Sequence, residues 1–138
     1  MLSIDSISRG VVLDHIAAGR SMSIYHDLRL GELDSSVAII KNVKSRKMGK
    51  KDIIKIEDRV DIDMDALGYI DPNITVNIVE EGVITDKHKL SLPKILTNVI
   101  FCKNPRCITS VEPGVTHIFD LTHPERREYR CRYCEQEA

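Results

Sequence analysis

Cys102-Lys103-Asn104-Pro105-Arg106-Cys107 and, 23 residues beyond, Cys131-Arg132-Tyr133-Cys134 hold all four cysteines of this 138-residue chain. The Cys-x4-Cys and Cys-x2-Cys spacings each let two thiolates grip one ion from a short turn, with Asn104-Pro105 and Arg132-Tyr133 inside the turns. Four thiolates close a tetrahedral site and leave no open position for water or substrate. The expectation is one structural Zn2+ per chain on Cys102, Cys107, Cys131 and Cys134, although iron takes the same ligands. Disulfides or free thiols are the rival reading. Disulfides suit an exported chain, and Met1-Leu2-Ser3-Ile4-Asp5 has neither the basic n-region nor the apolar h-region of a secretory signal.

The cysteines also divide the chain. Residues 94–138 contain no Trp and only Phe101 and Phe119, too little apolar bulk for a 45-residue segment to fold without a staple. Two domains are expected, 1–93 and 94–138. The first holds 13 basic and 15 acidic residues, the second 7 and 6, and the formal total is -1. That balance removes the electrostatic footprint of a dedicated duplex-DNA binder. Four thiolates and a divalent ion add about -2 to the second domain. Arg106, Arg127, Arg130 and Arg132 lie near the ligands in sequence; they could offset that charge, form a solvated surface or face a partner. The longest apolar runs, such as Val99-Ile100-Phe101-Cys102, are far below the roughly 18 residues of a membrane span. A soluble cytoplasmic protein is expected.

In the first domain, residues 3–14 suggest a strand with a break at Gly10. Residues 20–30 read as a helix, with Met22, Tyr25 and Leu28 recurring at three-residue steps. Segments 36–43 and 52–57 are rich in β-formers, and Ser45-Arg46-Lys47-Met48-Gly49-Lys50 between them reads as a basic hairpin loop. Residues 61–69 suit a short helix that opens in acids, favourable at a helix N-terminus. A turn at Asp71-Pro72-Asn73 precedes strand character over 74–79 and 83–85. The order β-α-β-β-α-β is the split βαβ arrangement of ferredoxin-like folds, with both helices on one face of the sheet. Alternation in Ile53-Ile54-Lys55-Ile56 puts Ile54 and Ile56 on one side and Lys55 on the other.

Catalytic patterns are missing. The seven glycines are isolated, without a GxGxxG or GxxxxGK phosphate loop, and there is no HExxH and no nucleophile elbow. An enzyme is not expected, and any nucleotide would be held by side chains.

Five motifs in register resemble one family: Ser8-Arg9-Gly10-Val11-Val12-Leu13-Asp14-His15-Ile16, Met48-Gly49-Lys50-Lys51-Asp52-Ile53-Ile54-Lys55-Ile56-Glu57, Ile74-Thr75-Val76-Asn77, Ser91-Leu92-Pro93, and the cysteine knuckles with Tyr133 and Glu135. Together they resemble the regulatory chain of aspartate carbamoyltransferase, over nearly the whole length. The resemblance implies an α+β chain: a ferredoxin-like βαββαβ nucleotide-effector domain, then a small β-rich zinc-ribbon (rubredoxin-like) domain that docks on the catalytic chain. It further implies a non-catalytic subunit that pairs with a second regulatory chain as a homodimer, binds the nucleoside triphosphates CTP and ATP, with UTP as a further candidate, and modulates pyrimidine biosynthesis. By position, Asp14 and Lys55 resemble the ribose-contacting pair, and Lys87 the lysine that meets the triphosphate. Ile7, Val12, Asn77, Val79 and Ile84 would line the base and sugar pocket, His15 would meet a phosphate, and Lys51 resembles a lysine linked to the second nucleotide or to metal-assisted binding. The chain departs from the family's pattern at Gly82, where a tyrosine near the sugar is expected, and in its short C-terminus.

The chemistry is coherent without the family. A triphosphate needs several cationic donors, which Lys87 and Lys51 can supply, and a carboxylate at Asp14 can accept both ribose hydroxyls. The bland alternative for Asp14-His15 is a strand-end turn. A competing function is a nucleic-acid-binding zinc ribbon using Arg126, Arg127, Arg130 and Arg132; neutral charge and few stacking aromatics oppose it. A small zinc hydrolase would need water in place of one cysteine.

Overall fold

A computed structural model describes residues 6–58 and 60–138. The chain divides into two compact units, one ending at Ser91 and the other spanning Leu92–Ala138. The first contains β1 (Gly10–Ala17), α1 (Ser21–Asp27), β2 (Val37–Ser45), β3 (Gly49–Glu57), α2 (Met64–Ile70), β4 (Thr75–Glu80) and β5 (Val83–Lys89), with a 3-10 turn at Leu30–Glu32. Among the described residues these strands form one sheet in the order β2-β3-β1-β4-β5. Every neighbouring pair is antiparallel. The first four strands have the expected split βαβ order, and β5 extends the β4 edge.

The sheet has two chemically different faces. Val11, Leu13, Ile54, Ile56 and Val76 point to the side covered by Ile24 of α1 and Leu67 of α2, all buried. Shortening Leu67 to Ala there would cost about 2–5 kcal/mol, the usual range for a packed leucine. α2 begins where Asp63 accepts a hydrogen bond from the Ala66 N–H, so the acid just before the helix caps it. The opposite face carries Val12, Asp14, Lys51, Lys55 and Asn77, as the alternation around Lys55 leads one to expect.

Three sequence expectations are corrected. The strand over 3–14 does not break at Gly10, which instead begins β1 (residues 3–5 lie outside the described residues); the irregularity falls at Asp14-His15, where the β1–β3 register shifts between Leu13 and Ile16. The helix over 20–30 ends at Asp27, because Arg29 takes a left-handed conformation at φ 54 and a 3-10 turn follows. Its fully buried residues are Ser21 and Ile24; Tyr25 and Leu28 pack partly buried against the core as expected. Met22 is exposed, because a three-residue step drifts off a face that follows a 3.6-residue turn.

The second unit contains β6 (Ile95–Thr97), the single-turn α3 (Ile108–Val111), β7 (Ile118–His123) and β8 (Glu128–Cys131). The strands form an antiparallel sheet in the order β6-β7-β8. Its small core is Leu96, Phe119 and Tyr129 beside Cys107 and Cys131, and the Tyr129 hydroxyl donates to the Pro93 carbonyl at 2.6 Å. The overall class is thus α+β and mostly strand, with a separate four-cysteine domain.

Candidate metal centre and sheet-face site

The metal centre is built by two turns. In the first, the Cys107 N–H donates to the Asn104 carbonyl at 3.1 Å, and the Asn104 side chain accepts the Arg106 N–H at 3.0 Å. In the second, the Glu135 N–H donates to the Cys131 carbonyl at 2.8 Å, with Glu135 left-handed at φ 64. The two turns bring the four Sγ atoms within 4.8 Å of one another. Cys102 and Cys134 are 3.5 Å apart, and Cys107 and Cys131 3.7 Å. Sulfurs bound tetrahedrally to one zinc at about 2.3 Å lie about 3.8 Å apart, whereas a disulfide is about 2.05 Å, so the set fits a four-coordinate ion and no disulfide.

Local donors prepare the ligands unequally. The Thr109 hydroxyl donates to the Cys107 sulfur at 3.1 Å and lowers its pKa. The Gln136 N–H brings Cys134 down to about 7. Burial pushes Cys102 up to about 12, as expected for thiols that cannot all ionise without a cation between them. Thr109 carried no sequence signal; only folding places its hydroxyl on a ligand. Two of the arginines near the ligands, Arg130 and Arg132, hold carboxylates. Arg132 grips Asp120 through two bonds of 2.7 and 3.1 Å, and Arg130 meets the buried Glu128 at 3.2 Å. That engagement leaves them poorly placed to track a nucleic-acid backbone.

On the first unit's open sheet face, pairing places Ala38, Lys55, Val12, Asn77 and Lys87 in one row across all five strands. The neighbouring row runs through Glu57, Gly10, Val79 and Ile84. Asp14 stands two positions along β1 from Val12, opposite Thr75. Its partner is Lys51, Nζ to carboxylate 2.9 Å, rather than Lys55. Burial works to raise the Asp14 pKa, but Lys51 and the His15 N–H outweigh it and hold the group below the ordinary carboxylate value. His15 sits in the β1 bulge at φ 59, with Nδ1 3.1 Å from the Thr75 hydroxyl. Among the described residues Lys55 and Lys87 form no ion pair, and the buried Asn77 Oδ1 has no hydrogen-bond partner. Ile7 and Lys55 meet at a cleft of about 280 Å3, also lined by Ser6, Ser8, Ala38 and Glu57.

Comparison with known proteins fits both halves. Residues 2–91 match the family described as aspartate carbamoyltransferase regulatory chain, allosteric domain, and residues 94–138 match the metal binding domain of the same chain. The chain belongs to the aspartate carbamoyltransferase regulatory chain family. It is similar to the aspartate carbamoyltransferase regulatory chain of Clostridium botulinum, 52% identical over 136 residues covering 99% of this chain and 93% of the relative. That of Clostridium tetani is 51% identical over 137 residues, with 99% and 95% covered, and that of Bifidobacterium longum 44% identical over 137 residues, with 99% of each covered. As an aspartate carbamoyltransferase regulatory chain it is not the catalytic polypeptide, and its implied partner is the catalytic chain. No helix among the described residues is long and apolar enough to cross a membrane.

Proposed function

We propose that the open sheet face binds the nucleoside triphosphates CTP and ATP, with UTP as a further effector, and that this binding tunes aspartate carbamoyltransferase in pyrimidine biosynthesis in the cytoplasm. The observation that carries the reading is the cross-strand row of Lys55, Val12, Asn77 and Lys87. Among the described residues it sets two ammonium groups without an ion pair on either side of a buried amide oxygen without a hydrogen-bond partner. In this reading Lys87 and His15 meet phosphates, and Asp14 with Lys55 holds the ribose. The Asn77 oxygen accepts from the base, whose faces pack on Ile7, Val12, Val79 and Ile84. Lys51, already paired with Asp14, lies where a second nucleotide's charge would be felt.

The metal is read as zinc on Cys102, Cys107, Cys131 and Cys134, holding residues 94–138 as the dock for the catalytic chain, while residues 1–93 sense effectors and pair with a second regulatory chain. Beside the ligands, Phe101 and Val111 are exposed at 62% and 63%, with Ile108 and Tyr133 also exposed. Apolar side chains left bare next to a closed metal site support a surface made for another polypeptide.

Calorimetric titration of the metal-loaded chain with CTP and ATP tests the nucleotide reading. Lys55→Ala and Lys87→Ala should each weaken binding roughly ten- to hundredfold, the range for a lost charge-assisted bond, with zinc content unchanged. Isotherms that match the unsubstituted chain would remove those lysines from the site.

A further inference from the structure

Asp52 is a fully buried carboxylate, one residue from Lys51 but facing the other side of the sheet. Its Oδ2 accepts the Gly19 and Ser21 N–H groups at 3.1 and 3.3 Å, and its Oδ1 accepts the Asn42 N–H at 3.0 Å. Gly19 lies in the turn after β1, Ser21 opens α1, and Asn42 lies within β2. One side chain on β3 therefore ties the connection that follows β1 to the middle of β2.

Both neighbours are irregular at that point. β1 shifts register against β3 between Leu13 and Ile16, and β2 shifts between Ile40 and Val43. Each irregularity contains a left-handed residue, His15 at φ 59 and Asn42 at φ 60. The registers resume at Ile16 opposite Asp52, with Ala17 and Val43 both opposite Lys51. A buried carboxylate is expensive unless hydrogen-bonded; a left-handed histidine also costs energy that its surroundings must cover, while asparagine tolerates that conformation.

We propose that Asp52 is a positioning residue for the nucleotide site: by clamping the Gly19, Ser21 and Asn42 amides it fixes the paired bulges that present Asp14, His15 and Lys51 on the opposite face. The inference rests on the nucleotide reading above and adds a residue that touches no ligand. Asp52→Asn keeps the side-chain volume but replaces one acceptor oxygen with a donor, so at least one amide loses its partner and the bulges relax. His15 on the phosphate side and Asp14 move; Lys87 and the base lining on β4 and β5 stay.

The test compares CTP with CMP by calorimetry on the full-length, metal-loaded chain, using Ile54→Val as a control for general loosening of β3. In Asp52→Asn the preference for CTP over CMP should fall about tenfold, the scale of one charge-assisted bond, while Ile54→Val should leave that ratio unchanged. An unchanged ratio in Asp52→Asn, or an equal fall in Ile54→Val, would overturn the inference. A second measurement needs no variant: binding and clamping are linked reciprocally, so saturating CTP should slow hydrogen exchange at the Gly19, Ser21 and Asn42 amides of the unsubstituted chain. Unaltered exchange there would also overturn it. If the unsubstituted chain binds neither nucleotide, the nucleotide reading falls and takes this inference with it; if it binds CTP and only the ratio fails to move, the inference alone falls.

Discussion

Gly10 begins β1 at φ +151, and a Cβ placed there would lie 2.0 Å from the Ile56 carbonyl oxygen of β3. The nearest atoms are all backbone of Ile56 and Glu57, so no flexible side-chain end can yield. Gly10→Ala should destabilise the first unit by about 2–3 kcal/mol and lower its melting temperature by roughly 8 °C or more, followed by circular dichroism. Glu128 carries a pH prediction. Hydrogen bonds from Thr122 and His123, then Arg130, outweigh burial and draw its pKa from 4.5 to about 2. A depressed carboxylate stabilises the fold above its unfolded pKa, and that contribution is lost as pH falls through the window from 4.5 toward about 2. Glu128→Gln should therefore lower the denaturant midpoint of the metal-loaded chain at about pH 6, above that window and where the thiolates still hold the ion. An unchanged midpoint there would mean the charge contributes nothing. Gly10 is visible in the sequence as an isolated glycine, but its close approach to Ile56 of β3 is not. Glu128 looks like any surface glutamate until β7 and β8 pair.

At the scale of elements, the β2–β3 hairpin sets Lys44 directly opposite Lys50, with Arg46 and Lys47 in the turn. Like charges facing each other across a ladder repel, so Lys44→Glu should stabilise the first unit by about 0.2–1 kcal/mol, read from the urea midpoint in low salt, with the gain shrinking as salt is added. Helix and strand legibility followed chemistry. The hairpin and β3 were plain because period-two alternation in Ile53-Ile54-Lys55-Ile56 has one solution when one face is buried. α2 was plain because an acid sits at its cap. α1 was not: its end is set by the left-handed Arg29, which no composition signal announces, and by packing of Ile24 and Leu30. The bulges at Asp14-His15 and Asn42 were equally hidden, since they answer to a buried carboxylate on a third strand.

Over the whole molecule, one ion and two units divide the work. Metal binding to four thiolates is folding energy for a unit whose core is little more than Leu96, Phe119 and Tyr129. Cys107→Ser, or chelation of the intact chain, should unfold the second unit while the first keeps its melting transition, and the catalytic chain should no longer co-elute on size exclusion. Retained stoichiometric co-elution would show that docking does not need the metal. Effector coupling through such an assembly is expected at about 1–3 kcal/mol. By itself the sequence determined what local spacing and alternation can carry: the tetrathiolate pattern, the two-domain division, the strand faces and the family to which the motifs belong. Only the tertiary structure decided that Asp14 pairs with Lys51, that Arg132 and Arg130 are engaged by Asp120 and Glu128, and that Asp52 ties the turn after β1 to Asn42 of β2. Those contacts join residues distant in the chain through hydrogen bonds of about 3 Å, and which groups come that close is fixed by strand register rather than by neighbouring residue types.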